Sequence, residues 1–238
     1  MKKLLRKNLT RKGRKIITKN FGFTLAEVLI TLGIIGVVAV MTISMLIGNY
    51  DKQVKVNKIK KIYSTISQAY SLIIAENGTP INWENLNTQQ DYTTRVANLF
   101  KPHLRVVKDC GYDFGCFPDV YYKLLNGNRS INFIRTDKIR YMMQLNDGSI
   151  IAFISEANGV ISIYYDVNGS KSPNQFGHDL FQFAFNSNGV IDFSLFGKTN
   201  RCYPAGYGCS EWIIKNNNMD YLKCLDYLKT HTTASSCK

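Results

Sequence analysis

The sequence predicts an α+β fold in which one long N-terminal helix packs on a four- to five-stranded antiparallel sheet, followed by a disulfide-tied C-terminal segment. Three observations predict it: an apolar run that continues as a helical pattern, a later change to a two-residue period with turn signals, and six cysteines that all lie beyond residue 109. We divide the chain into a basic leader, a membrane helix, its amphipathic continuation and a globular domain, at residues 1–22, 23–47, 48–78 and 79–238.

The net charge of +13 is concentrated at the N-terminus. Residues 1–22 carry nine Lys and Arg and no acid, so only +4 remains on the rest of the chain. A nucleic-acid-binding protein carries its cations as a surface stripe or patch, and no such stripe is indicated here. We therefore expect no nucleic-acid partner.

Residues 23–47 form an apolar run of 25 residues whose single charge is Glu27. About 20 apolar residues span a bilayer, whereas the apolar region of an ordinary secretory signal is about 7–15 residues long. Cations that precede a span hold that side in the cytoplasm. We expect a single-pass protein of the bacterial inner membrane, in contact with lipid, whose C-terminal domain lies outside the cytoplasm.

Glu27 needs a cationic partner, since a carboxylate inside a hydrocarbon stretch costs about 2.5–3.5 kcal/mol. No cation of the intact chain lies within one helical turn of it. Hydrolysis of the bond between Gly22 and Phe23 would create a free amine four residues before Glu27.

The stretch from Gly22 to Ile30, GFTLAEVLI, resembles the type III signal of type IV prepilins and type II secretion pseudopilins. The resemblance implies that a prepilin peptidase cuts after Gly22 and N-methylates Phe23, and that Glu27 pairs with the N-terminal amine of a neighbouring subunit. It also implies a pilin-like fold. One departure is Ser44, because many relatives have a helix-breaking proline in this region.

The resemblance implies a structural, non-enzymatic subunit whose partners are its own copies, other pilin-like subunits and an inner-membrane assembly platform. Two versions stay open: a pseudopilus subunit for protein secretion, and a subunit of a surface pilus. A different class is an uncut, single-pass anchored binding module. No required cofactor is indicated, and we read His103, His178 and His231 as surface or hydrogen-bonded residues, because none has a nucleophile or metal ligand at a familiar spacing.

After Gly48 the helical pattern resumes, and Gly78 and Pro80 end it, which predicts one helix from about Phe23 to Glu76. The apolar positions at three- and four-residue spacing are Ile59, Ile62, Ile66, Ala69 and Ile73. We place the neighbouring lysines on a solvated face: Lys55, Lys58, Lys60 and Lys61. A short helix is expected within residues 81–107, with Thr88 as its cap and Asp91 at the third position after it.

From about residue 141, the hydrophobic pattern changes from the helical period to a period of two residues. The predicted strands are Tyr141–Leu145, Ser149–Ile154, Val160–Tyr165, Leu180–Phe185 and Val190–Phe193, separated by Asn/Asp-Gly turns. The side chains expected in the core are Phe153, Ile161, Ile163, Phe181, Phe183 and Phe185.

The six cysteines fall into three local pairs, Cys110/Cys116, Cys202/Cys209 and Cys224/Cys237. An even number in one part of an exported chain favours disulfides, although six cysteines permit fifteen connectivities and the local pairing is a guess. Free buried thiols are the alternative, and the spacings do not fit a zinc site. We read residues 202–238 as a disulfide-tied segment folded back on the sheet.

One segment, 165–179, collects Asp, Asn, Gly and Pro. Asp166 and Asn168 have the first two ligand spacings of a calcium loop, and Asn174 and Asp179 could add oxygen ligands. The match then fails, because Gly169 comes too early and no Glu closes the loop. The segment resembles the calcium-stabilised loop of major type II secretion pseudopilins, but a loop built from Asx turns explains the same composition.

Overall fold

The computed structural model describes residues 22–79, 88–113, 115–132, 135, 140–156, 160–185, 191–192, 202–230 and 237. The chain divides into two compact units, Met1–Ile47 and Gly48–Lys238, and each is described by itself. The basic leader up to residue 21, Pro80, and the turns at 158–159 and 186–189 lie outside the described residues.

Helix α1 spans Leu25–Asn77, which confirms the long N-terminal helix. It is helical throughout, including position 44, where relatives often have proline. Gly78 ends it with a φ of 76°, a left-handed conformation that glycine adopts without strain, and the Gly78 N–H donates to the Ile74 carbonyl at 2.9 Å.

The part of α1 in the second unit packs its apolar stripe into the main core. All five predicted stripe residues are buried, from Ile59 to Ile73. The prediction of a fully solvated lysine face was wrong for Lys55, whose side chain is 5% exposed. Its ammonium lies 3.0 Å from Asp51 Oδ2 and 3.2 Å from His178 Nδ1, so polar partners compensate its burial.

Helix α2 spans Gln89–Phe100 and has the predicted N-terminal cap. The Asp91 N–H donates to Thr88 Oγ1 at 3.1 Å, and the Thr88 hydroxyl donates to the Asp91 carboxylate at 2.7 Å. A 3-10 turn, Lys101–His103, follows and leads into the sheet.

The sheet has six antiparallel strands in sequential order: β1 Val106–Gly111, β2 Arg140–Leu145, β3 Ile150–Ser155, β4 Ile161–Asp166, β5 Leu180–Phe185 and β6 Ile191–Asp192. The predicted meander is therefore confirmed, and β1 is added at one edge. The Asn146-Asp147-Gly148 turn joins β2 to β3 as predicted, with Gly148 at a φ of 80°.

Both faces of the sheet are covered. On one face, the predicted aromatic and aliphatic side chains of β3, β4 and β5 pack with α1 and α2 in one buried cluster. On the other face, a second cluster contains Phe117, Tyr122, Phe176 and the disulfide of Cys110 with Cys116. The sheet is thus the middle of three layers, whereas the sequence indicated only the helical layer.

The C-terminal segment folds back on the sheet as predicted. It contains α3 Cys209–Asn216, a 3-10 turn at Asp220–Lys223 and α4 Leu225–Thr230. The Ser210 hydroxyl donates to the Gln182 carbonyl of β5, and Trp212 and Tyr221 are buried in the main core. Cys202 is bonded to Cys209 and Cys224 to Cys237, which ties this segment together.

We expect Phe100→Ala to destabilise the globular unit strongly. Phe100 is fully buried, and its ring lies 5.4 Å from Phe153 and 5.5 Å from Phe185, so its truncation leaves a cavity between α2 and the sheet. Truncation of a buried phenylalanine to alanine lowers the free energy of unfolding by about 3–5 kcal/mol. Urea unfolding of the full chain in detergent, followed by tryptophan fluorescence, measures the loss. Leu72→Ala, at a side chain that is 52% exposed, is the control, and equal losses in the two variants would contradict the core assignment.

Candidate functional site

The start of α1 brings together the three residues that the sequence singled out, Gly22, Phe23 and Glu27. Gly22 and Phe23 precede the helix, and Phe23 is 87% exposed. Apart from its chain neighbours, no described residue has an atom within 4 Å of the position where a Cβ on Gly22 would stand. Packing within the described chain therefore does not require glycine there.

Thr24 and Glu27 form a capping box at the start of α1, which the sequence analysis missed. The Thr24 N–H and hydroxyl both donate to Glu27 Oε2 at 2.8 Å, and the Glu27 N–H donates to Thr24 Oγ1 at 3.2 Å. The signal was present in the spelling Thr-Leu-Ala-Glu, which places Glu three residues after Thr. The box satisfies two donors at the helix start and holds the carboxylate beside residue 23.

Beyond Glu27, the apolar side chains of α1 in the first unit are exposed. Ile30, Ile35 and Val40 are 63%, 61% and 71% exposed, and none of the described large apolar residues in this stretch is buried. Among the described residues, α1 is the one helix long and apolar enough to cross a membrane. A helix that is apolar all round needs lipid or other helices around it.

A second cluster of polar groups lies between β4 and β5. Asp166 ends β4, Asp179 precedes β5, and the backbone register places Asp166 opposite Leu180. Both carboxylates are fully buried. The structure therefore brings the two predicted acids of the 165–179 loop to the same end of the sheet.

Hydrogen bonds from the surrounding chain hold both carboxylates. The Tyr122 hydroxyl donates to Asp166 Oδ2 at 2.5 Å, and the Asn168 N–H donates to Asp166 Oδ1 at 3.1 Å. The Asn174 N–H donates to Asp179 Oδ2 at 2.8 Å. Tyr122 was not predicted, since it lies 44 residues before Asp166 and no local pattern joins them.

The two asparagines leave oxygen atoms without partners in the described structure. Asn168 Oδ1 and Asn174 Oδ1 are both buried and accept no hydrogen bond there. Asn174 has a φ of 51°, an uncommon left-handed conformation for a residue other than glycine. In the part of the chain that is described, no group of three or more His, Cys, Asp or Glu is placed to hold a metal ion. A site here would therefore combine two carboxylates with amide and carbonyl oxygens.

Burial raises the pKa of Asp166 to about 7 and also raises the pKa of Asp179. The charged forms are disfavoured because each carboxylate has lost most of its water. The Tyr122 hydroxyl opposes this effect on Asp166, but the neighbouring Asp179 adds to it. The protonated form of each carboxyl group is therefore more favoured in the folded chain than in water.

Two of the histidines lie within the described residues. His178 is half-buried beside Lys55, and burial together with that ammonium lowers its pKa to about 4, so it stays neutral at pH 7. His103 lies in the 3-10 turn after α2. His231 lies outside the described residues.

The pKa of Asp166 predicts how stability varies with pH in the absence of divalent cations. The native state binds a proton that the unfolded state releases near pH 4, so the contribution of Asp166 to the free energy of unfolding should fall as pH rises from about 4 to about 7 and level off above that. The lowered pKa of His178 acts in the opposite direction over the same range, so the contribution is measured as the difference between the wild type and Asp166→Asn. The loss for this group is about 4 kcal/mol. Urea unfolding in EDTA at a series of pH values measures it.

The Asp166→Asn variant should lack this contribution, because an amide does not titrate. Asp119→Asn is the control: Arg135 lowers the pKa of Asp119 to about 2, so its titration lies below the window of interest. An equal pH dependence of stability from pH 4 to 7 in the wild type and in Asp166→Asn would show that Asp166 is ionised normally.

Comparison with known families gives two matches. A prokaryotic N-terminal methylation motif matches residues 17–43, a range that includes Gly22, Phe23 and Glu27. A family of unknown function, DUF6613, matches residues 45–234. No curated protein and no solved structure matches the chain significantly.

Proposed function

Because the chain belongs to the family of unknown function DUF6613 and begins as a type IV pilin-like prepilin, we propose that it is a structural subunit of a pilus-like filament or a secretion pseudopilus. The precursor is cut after Gly22 and N-methylated at Phe23 by a prepilin peptidase. The mature chain stays in the inner membrane before assembly. It then polymerises with other pilin-like subunits through its apolar helix, on an inner-membrane assembly platform.

The observation that carries this proposal is the exposed apolar half of α1 with an acid at its start. Leu29, Ile34 and Ile47 are each about 60% exposed. Lipid covers these side chains before assembly, and helices of neighbouring subunits cover them in the filament. The exchange of lipid for neighbouring helices costs little hydrophobic free energy. Helix packing and the Glu27 carboxylate therefore decide whether the subunit stays in the membrane or joins the filament.

Glu27 sets the register between subunits. Cleavage creates an α-amine at Phe23, and a buried carboxylate is stabilised when such a cation pairs with it. The capping box with Thr24 orients the carboxylate before assembly and leaves its other oxygen, Oε1, open to the amine of a neighbour. No catalytic role is proposed: the described residues offer a site on which an enzyme acts.

We expect Glu27→Ala and Glu27→Gln to insert and mature normally and to form no filaments. Glutamine can still accept the Thr24 hydrogen bonds of the capping box. If Glu27→Gln forms no filaments, assembly therefore requires the carboxylate charge and not only the cap. Loss of one partner of a buried pair costs about 3–5 kcal/mol per subunit. Electron microscopy of sheared filaments measures the yield.

Thr31→Ala is the matched control for these variants. Its hydroxyl is exposed on the same helix and donates to the Val28 carbonyl, so the change removes a polar group of the span without touching the charge. Filaments should form normally in this variant. Wild-type filament yield from Glu27→Gln would show that the carboxylate charge has no part in assembly.

We expect Gly22→Ala to block most cleavage without disturbing the helix, because there is open space around Gly22 in the folded chain. Intact mass spectrometry after co-expression with a prepilin peptidase gives the N-terminus directly. Thr24→Ser, which keeps the capping hydroxyl two residues beyond the cut, should mature normally. A methylated Phe23 at the N-terminus of most Gly22→Ala chains would contradict the role of Gly22.

We propose further that Asp166, Asn168, Asn174 and Asp179 hold a calcium ion. Calcium takes about six to eight oxygen ligands, and this cluster offers two carboxylates with raised pKa and two buried amide oxygens without partners. Bound calcium would stabilise the ionised carboxylates and join the ends of β4 and β5. A calcium-binding loop favours the secretion pseudopilus over the surface pilus. Electron microscopy of whole cells tests this, because only a surface pilus should appear as filaments on the cell.

Calcium should raise the unfolding free energy of the full chain at pH 7.5 by about 1.4 kcal/mol at ten times its Kd. The gain should disappear in Asp179→Asn and remain in Asp119→Asn, whose carboxylate is exposed and paired with Arg135. Magnesium should stabilise less, since it demands a smaller octahedral shell. If calcium raises the unfolding free energy of Asp179→Asn as much as that of the wild type, or does not raise it in the wild type, the segment is a loop built from Asx turns and not a calcium site.

A further inference from the structure

A cleft of about 190 Å³ lies in the globular unit between α1, the loop that leads into β1 and the turn between β2 and β3. None of the residues assigned above to assembly or to calcium binding lines it. Its polar and charged lining residues are Lys58, Lys61, Thr65, His103, Arg105, Asn146 and Asp147.

The floor of the cleft is apolar. Ile62 of α1, Leu104 and Leu145 line it and are buried, and Tyr165 of β4 contributes a buried ring. Two backbone bonds shape the wall beside it: the Asn146 N–H donates to the Arg105 carbonyl at 2.9 Å, and the Val106 N–H donates to the Leu104 carbonyl at 3.0 Å. Backbone hydrogen bonds therefore connect the loop before β1 with the turn between β2 and β3 at this wall.

The rim of the cleft has excess positive charge. Lys58 is already engaged, because its ammonium lies 3.6 Å from Asp147 Oδ2 and donates to the Val167 carbonyl at 2.8 Å. Lys61 of α1 and Arg105 of the loop before β1 are exposed, and no ion pair involves their side chains within the described structure. Asp147 is the one carboxylate among the lining residues, so two cations face the cleft uncompensated.

We propose that this cleft binds a small organic anion, with a carboxylate or phosphate head between Lys61 and Arg105 and an apolar body on the floor formed by Ile62, Leu104 and Leu145. Arginine pairs with both kinds of head through two parallel hydrogen bonds, and lysine adds a point charge. Pockets of this kind, apolar with a few convergent polar groups, are typical of small-ligand sites. The proposal does not depend on polymerisation.

The test uses benzoate and its neutral counterpart benzamide, which have nearly the same shape. Isothermal titration calorimetry of the full chain in a nonionic detergent, at low salt, should show benzoate binding at least about tenfold more tightly than benzamide, as expected for a charged pair of hydrogen bonds. Inorganic phosphate should bind more weakly than benzoate, because it lacks the apolar body. Added salt should weaken benzoate binding.

The variant Lys61→Gln/Arg105→Gln should lose the preference for benzoate. Its matched control is Lys60→Gln/Arg95→Gln, which removes one lysine and one arginine that are exposed on α1 and α2 but do not line the cleft. Circular dichroism checks that both variants fold. Equal benzoate affinity in the two double variants, equal affinity for benzoate and benzamide, or no benzoate binding by the wild-type chain would each overturn the proposal.

Discussion

The apolar half of α1 is not covered within its own unit, among the residues that the structure describes. From Leu25 to Ile47 its described large apolar side chains are exposed, and the one charged residue, Glu27, lies in the first turn. A surface of this size must contact lipid or like helices, and the acid must find a cation. These two requirements explain why the N-terminal features occur together. In the proposed function, the basic leader would orient the span, a cut after Gly22 would supply the cation, and the apolar surface would serve both in the membrane and in the filament.

The second half of α1 meets the opposite requirement, since its stripe from Ile59 to Ile73 is buried against the sheet. The globular unit also contains two features with their own chemistry. The buried pair Asp166 and Asp179 has raised pKa values, and the cleft beside Lys61 has more cationic side chains than its one described carboxylate, Asp147, can compensate.

The sequence predicted most of the fold because its signals are local. Turn residues such as Asn146-Asp147-Gly148 and the cap at Thr88 depend on neighbours within four positions, and the stripe of α1 follows from helical spacing. Strand β1 was missed because three of its residues are exposed and it lacks an alternating pattern. The bond from Tyr122 to Asp166 and the burial of Lys55 beside His178 join residues 44 and 123 positions apart, and no local pattern reports such contacts. The capping box of Thr24 and Glu27 does have a local sequence pattern, but it lies at the start of an apolar run that also predicts a membrane span.

The most direct test of the central claim is the intact mass of the protein purified from its own cell, together with its N-terminal sequence. We predict a chain that begins at N-methylated Phe23, with the cationic leader of residues 1–22 removed. A chain that still begins at Met1 would leave Glu27 without the cation that assembly requires, and it would contradict the account in favour of an uncut, membrane-anchored module.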